Sequence, residues 1–242
     1  MKEKNKYRNR KIIAGAVGVV AILLAIFLNP ESYKTIYIDF GGSSEVKASE
    51  NNSDAPLASE ILEKLEVKGR APKTGYARTE FYDSWPSENG CNLRQRILKR
   101  DFGETAVLAS DNCTVISGSL YEPYTGQEMT FTEKTQISKG LQIDHIVALS
   151  DAWQKGAQYK TAEERFALAT DTLNLIAVDS SANQQKSDGD AATWLPKNKS
   201  FRCQYVARQV SVKYKYGLWV TSAEKDAISR VLSDCPNEKA TI

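Results

Sequence analysis

The chain has 242 residues, with charged and hydrophobic fractions of 26% and 41% that are ordinary for a globular protein, and a formal net charge of +2. That balance is misleading, because Lys2, Lys4, Lys6, Arg8, Arg10 and Lys11 against Glu3 put +5 into residues 1–30 and leave −3 for the remainder. The remainder is therefore not a basic protein, which excludes a phosphate-binding footprint spread over the whole fold and leaves only a local patch for that role.

In chain order, residues 1–11 are basic and residues 12–28 form an unbroken run of apolar and small side chains. This is a membrane-targeting segment, either a cleaved signal peptide or an uncleaved anchor. The run just reaches the lower limit for a bilayer span. Its exit, Phe27-Leu28-Asn29-Pro30, has no clear small-x-small cleavage site, which favours the anchor. A positive N-terminal flank stays inside, so the rest of the chain is expected to be extracytoplasmic, tethered to the membrane or secreted.

The four cysteines, Cys91, Cys113, Cys203 and Cys235, all follow that segment. An even number in an exported domain predicts disulfides. Closeness in sequence favours Cys91–Cys113 and Cys203–Cys235. A zinc site is disfavoured, because there is no CxxC and only one histidine.

Residues 31–55 read as a polar spacer, with a short strand suggested by Ile36, Ile38 and Phe40; the domain is expected over residues 56–242. Within it, helices are predicted over 58–67, 91–101, 151–156, 161–169, 200–216 and 221–233. Thr161 with Glu164, and Thr221 with Glu224, have capping-box spacing. Strands are predicted over 113–120, 142–147 and 173–178, with a turn at 121–126. Ser180 or Ser181 is placed to cap a helix carrying Asn183 and Lys186. The whole reads as an α+β domain with additional helices.

His145 is the only histidine. If the protein is an enzyme with a neutral-pH base, imidazole supplies it at this position alone. Asp144 precedes it, and Asn174 and then Asn183 follow, with Lys186 three residues on. This order, strand with Asp-His, strand beginning with Asn, helix with Asn and Lys, resembles the HNH nuclease motif and its ββα-metal fold. The spacing from Asn174 through Asn183 to Lys186 is similar to that in the HNH domain of RNA-guided DNA nucleases. The longer pattern also resembles a family of exported bacterial HNH proteins related to the C-terminal domain of GmrSD-type restriction enzymes. Cys91-Asn92-Leu93-Arg94, Arg100-Asp101, Ser117-Gly118 and Pro123-Tyr124-Thr125-Gly126 share in it, so the likeness spans roughly residues 75–235.

The resemblance implies a ββα-metal core and hydrolysis of phosphodiester bonds, with His145 as base, Asp144 and Asn183 as metal ligands, and Asn174 orienting the His145 loop through hydrogen bonds. Lys186 either contacts phosphate or pairs with a carboxylate such as Asp188. Two oxygen ligands suit one Mg²⁺ or Mn²⁺ better than Zn²⁺. The bland alternatives are that Asp144 only fixes the His145 tautomer, Asn183 is a helix cap and Lys186 is solvated. Trp153 and Trp194 read as core aromatics, Tyr124 as a turn-packing residue, and Arg94, Arg100 and Asp101 as site support or a structural ion pair. The expected substrate is nucleic acid, DNA ahead of RNA, cut with low sequence specificity. The rival expectations are a non-catalytic cell-surface binding module and a phosphodiesterase acting on a small molecule.

Overall fold

A computed structural model describes residues 55–241, so the membrane-targeting segment, the spacer and the strand expected around Ile36–Phe40 lie outside the described residues. Among the described residues no helix is long and apolar enough to cross a membrane.

The elements in order are α1 (Ala58–Lys64), β1 (Ser87–Glu88), β2 (Cys91–Asn92), α2 (Leu93–Phe102), β3 (Val107–Leu108), β4 (Val115–Glu122), β5 (Gln127–Phe131), α3 (Lys134–Gly140), β6 (Leu141–His145), α4 (Leu149–Gln154), α5 (Ala162–Thr170), β7 (Leu175–Asp179), α6 (Ser180–Lys186), α7 (Arg202–Lys215) and α8 (Ser222–Ser233). This is the α+β architecture the sequence predicts. Among the described residues it has three small antiparallel sheets, β1-β2, β3-β4-β5 and β6-β7.

Several elements depart from the sequence expectation for local reasons. Strand β4 runs two residues beyond 120 and turns back into β5, which the sequence reading missed. The turn is closed by the buried Glu122, whose carboxylate accepts the N–H groups of Tyr124 (2.9 Å) and Thr125 (2.7 Å). Helix α2 starts later than expected, because Asn92 serves as its N-cap and accepts from the Gln95 N–H at 3.0 Å. Helix α6 is capped by Asp179, at the end of β7, rather than by Ser180 or Ser181; its carboxylate accepts from the Ala182 N–H. Thr161 and Glu164 form the expected capping box. Thr221 caps α8, but the Glu224 carboxylate turns into the interior instead of back to the cap.

The β6–β7 ribbon runs from Leu141 opposite Asp179 to His145 opposite Leu175. It is buried on both faces. Leu141, Ile143, Leu175 and Ala177 pack with Leu93, Ile97, Phe102 and Phe131, whereas Ile176 and Val178 pack with Tyr124, Tyr205, Val206 and Val210. Burial on both faces explains why Leu175-Ile176-Ala177-Val178 is a continuous apolar run rather than an alternating one. Arg100 and Asp101 brace the ribbon: Arg100 donates to the carbonyls of Thr172 and Leu175, and Asp101 accepts from the Ala177 N–H. Arg94 likewise donates to the Leu141 carbonyl. These three residues are structural supports of the ribbon.

The disulfides are Cys91–Cys113 and Cys203–Cys235, as the sequence predicts. The first joins β2 to the approach of β4, and the second joins α7 to the end of α8. Trp153 is a buried core aromatic against Tyr76 and Phe81, and Trp194 packs partly buried against Tyr124 and Tyr205.

A largely buried ionic cluster lies among the helices and loops outside the ribbon. Lys155 contacts Asp151 (2.6 Å), Asp190 (2.7 Å) and Glu224 (2.6 Å); Lys213 contacts Asp151 and Glu224; Arg70 contacts Asp190 and Asp151. Three cations match three carboxylates, so the cluster carries no net charge. Burial alone lowers the pKa of Lys213, but the carboxylates of Asp151 and Glu224 outweigh it and hold the value above the ordinary one. The cluster joins α4, α7, α8 and the loop after α6, and so fixes the elements around the end of the ribbon.

Candidate active site

Strand β6 ends at His145, strand β7 begins after Asn174, and helix α6 follows β7 without a break. This ββα unit brings four of the five expected residues to one place. Asp144, His145 and Asn183 line a cavity of about 350 Å³, together with Lys73, Tyr76, Arg78, Ser150, Ser187 and Asp188. Lys186 lies just beneath, fully buried.

His145 is 5% exposed, with its ring stacked on Trp85 at 6.0 Å and inclined to Tyr82 at 6.1 Å. Its Nε2 lies 2.9 Å from the Ala169 carbonyl oxygen. A carbonyl only accepts, so Nε2 carries the proton and Nδ1 is the nitrogen free to take one. Burial pushes the imidazole pKa down to about 3; the bond to Ala169 opposes this, while Arg78 and Lys186 add to it. The ring is therefore neutral at neutral pH, the form a general base requires.

Asn174 is fully buried just outside β7. Its Oδ1 accepts from the Val147 N–H at 2.8 Å, and its backbone carbonyl accepts from the Ile146 N–H at 2.8 Å. The two bonds fix the backbone immediately after His145. Asn174 does not line the cavity.

The Asp144 carboxylate is held from two sides. Lys186 Nζ lies 3.1 Å from Oδ1 and 3.0 Å from Oδ2, and the Tyr124 hydroxyl donates to Oδ2. Lys186 also donates to the His145 carbonyl at 2.8 Å. Of the two partners the sequence left open for Lys186, the structure gives a carboxylate, but it is Asp144 rather than Asp188. Asp188 instead accepts from Lys73 and from the Ser150 hydroxyl, both at 3.0 Å. Tyr124 is fully buried, and burial followed by the Asp144 charge raises the pKa of its phenol. It packs against Trp194, Phe201 and Tyr205, as expected of a turn-packing residue, and its hydrogen bond to Asp144 makes it a support of the site as well.

Asn183 is half-buried on α6. Its side-chain nitrogen donates to the Gln142 Oε1 at 2.8 Å, and among the described residues nothing donates to its side-chain oxygen Oδ1. Asp144 and Asn183 thus offer the cavity a carboxylate and an amide oxygen. An ionised carboxylate has about four lone-pair sites, which Lys186 and Tyr124 do not exhaust. Among the described residues no group of three or more His, Cys, Asp or Glu side chains could hold a metal ion. One carboxylate and one amide oxygen are hard donors, and a cation held by them would need water and phosphate oxygens for the rest of its shell. This donor set does not fit a closed zinc site, which needs nitrogen or sulfur ligands.

Residues 93–231 match the family described as GmrSD restriction endonucleases, C-terminal domain. The chain belongs to this family. It is also similar to a protein of Arthroderma benhamiae named an uncharacterized secreted protein, with 38% identity over 188 residues, covering 76% of this chain and 88% of that one. That relative is fungal, so the bacterial origin in the resemblance finds no support in it. No solved structure matches the chain. The GmrSD C-terminal match spans the whole ββα unit, with Asp144, His145, Asn174, Asn183 and Lys186. It leaves out Lys73, Tyr76, Arg78, Tyr82 and Trp85, which line the cavity or bracket His145. Sequence reasoning missed these residues too. The available signal was the interleaving of basic and aromatic side chains in Lys73-Thr74-Gly75-Tyr76-Ala77-Arg78.

Proposed function

We propose that this protein is a metal-dependent endonuclease that hydrolyses phosphodiester bonds of DNA with little sequence preference. The observation that carries the reading is the placement of His145: an imidazole whose tautomer is fixed by the Ala169 carbonyl, in the same cavity as Asp144 and Asn183. In this reading His145 Nδ1 takes a proton from a water molecule, whose oxygen forms the new bond to phosphorus as the bond to the leaving oxygen breaks. The leaving oxygen is protonated from solvent. Asp144 and Asn183 would hold one divalent cation, Mg²⁺ or Mn²⁺, which when bound would stabilise the charge developing on phosphate and leaving group. Lys186 and Tyr124 fix Asp144, and Asn174 fixes the backbone after His145.

The cavity wall is rich in charged and polar groups, Lys73, Arg78, Ser150, Ser187 and Asp188 among them, which suits a sugar–phosphate backbone. We place the activity outside the cytoplasm. The two disulfides, the targeting segment over residues 1–30 and the name of the Arthroderma relative support that place. The deciding experiment is incubation of the purified protein with plasmid DNA, linear DNA and RNA in Mg²⁺, Mn²⁺, Zn²⁺ or EDTA. DNA cutting in Mg²⁺ or Mn²⁺ that EDTA abolishes is expected; inactivity in every cation on every polymer contradicts the reading.

A further inference from the structure

Residues 66–86, between α1 and β1, have little regular structure beyond a helical turn at Arg78–Glu80, yet they are pinned along their length. The Lys68 N–H donates to the Val220 carbonyl (3.0 Å), and the Ala71 N–H to the Gln154 carbonyl (2.8 Å). The indoles of Trp219 and Trp153 donate to the carbonyls of Gly69 and Thr74. Arg70 joins the buried ionic cluster through Asp190 at 2.7 Å. Gly75, with a φ of +79°, turns the chain against Trp153 in a conformation other residues rarely adopt. The segment precedes the part of the chain that matches the family.

This arm carries Lys73 and Arg78 into the wall of the cavity that holds Asp144, His145 and Asn183. Both side chains are exposed. The Arg78 guanidinium is fixed by the Tyr82 hydroxyl and lies 5.0 Å from the centre of the Tyr82 ring, and among the described residues it pairs with no carboxylate. It is a pre-positioned cation with charge to spare. Lys73 pairs with Asp188 at the surface, where an ion pair is weak and yields to a phosphate. A polynucleotide brings phosphates on both sides of the scissile one, whereas a small diester brings none.

We propose that residues 66–86 form a strand clamp in which Arg78 and Lys73 bind the backbone phosphates beside the scissile one, so that the site takes a polynucleotide rather than a small phosphodiester. The clamp rests on the nuclease reading only for where the scissile phosphate sits.

The test is binding of a fluorescein-labelled DNA oligonucleotide, single-stranded or duplex, to the full-length protein in EDTA, by fluorescence anisotropy across a salt series. Arg78→Ala is expected to weaken binding about tenfold, and each of Arg78→Ala and Lys73→Ala to reduce the slope of log Kd against log salt by about 1. Arg78→Lys keeps the charge and is expected to keep the slope. Binding whose salt slope is the same in all three variants as in the wild type overturns the clamp, and so does failure of the wild type to bind either oligonucleotide. Cleavage is read separately: a wild-type protein that binds through Arg78 and Lys73 but cuts in no cation upholds the clamp and removes the nuclease reading.

Discussion

The ammonium of Lys186 lies 3.1 and 3.0 Å from the two oxygens of Asp144, and both side chains are buried. The pair joins the first strand of the ββα unit to its helix and sets the position of the carboxylate beside His145. Removing one partner of a buried pair leaves an uncompensated charge. Lys186→Met is therefore expected to destabilise the fold by about 3–5 kcal/mol. Denaturant midpoints measure this, and the double variant with Asp144→Asn should recover part of the loss, since the two sites are coupled. Additive losses would mean that the pair contributes nothing as a pair.

The Tyr124 hydroxyl is the other support of Asp144. Tyr124→Phe keeps the ring in its apolar surroundings and removes only the hydrogen bond. The expected result is a loss of Mn²⁺ affinity of about 10–100-fold, the usual effect of removing a group that orients a ligand. Titration calorimetry with Mn²⁺ reads it directly; an unchanged affinity would return Tyr124 to a packing role.

Asp190 predicts a pH dependence of stability. Burial opposes its ionisation, but the hydrogen bond and charge of Lys155, together with Arg70, win and hold its pKa down to about 2, below the ordinary 3.8. The folded state thus binds the proton more weakly than the unfolded chain. The stability from this group is complete above about pH 4 and disappears as the pH falls through 2. Asp190→Asn should flatten the stability profile between pH 4 and 2, at the cost of lower stability at neutral pH. A thermal-melting series over that range checks the sign.

The Cys203–Cys235 bridge closes a separation of 32 residues between α7 and α8. Opening it with Cys203→Ser and Cys235→Ser is expected to cost about 3–4 kcal/mol through the added freedom of the unfolded chain. Chemical denaturation of the double variant measures it, and four titratable thiols in the native wild type would contradict the bridges altogether.

The ribbon, helices α5 and α6 and the C-terminal helices were legible in the sequence, because their signals are local: an apolar run after Asn174, a Thr161–Glu164 box before α5, a glycine after α7. Helix α3 and strand β5 were not. They are short, and β5 is exposed along most of its length, so neither presents a clean period. The residues that face the cavity within the ββα unit were also legible, since their spacing is fixed by two strands and a helix. Tyr124 and Trp85 reach the site through tertiary contacts 20 and 60 positions away from Asp144 and His145, and no local pattern encodes such a contact. Glu224 shows the limit from the other side: its spacing from Thr221 is that of a capping box, but the buried cations Lys155 and Lys213 compete for its carboxylate and take it.

The central claim is that one neutral imidazole, His145, activates water in this cavity. Plasmid nicking in Mg²⁺ or Mn²⁺ by the wild type and by His145→Ala, with melting curves on both, tests it most directly. The expected result is a folded variant whose rate falls by about 10²–10⁴-fold, the usual worth of a positioned general base. Cleavage by folded His145→Ala at the wild-type rate would contradict the claim.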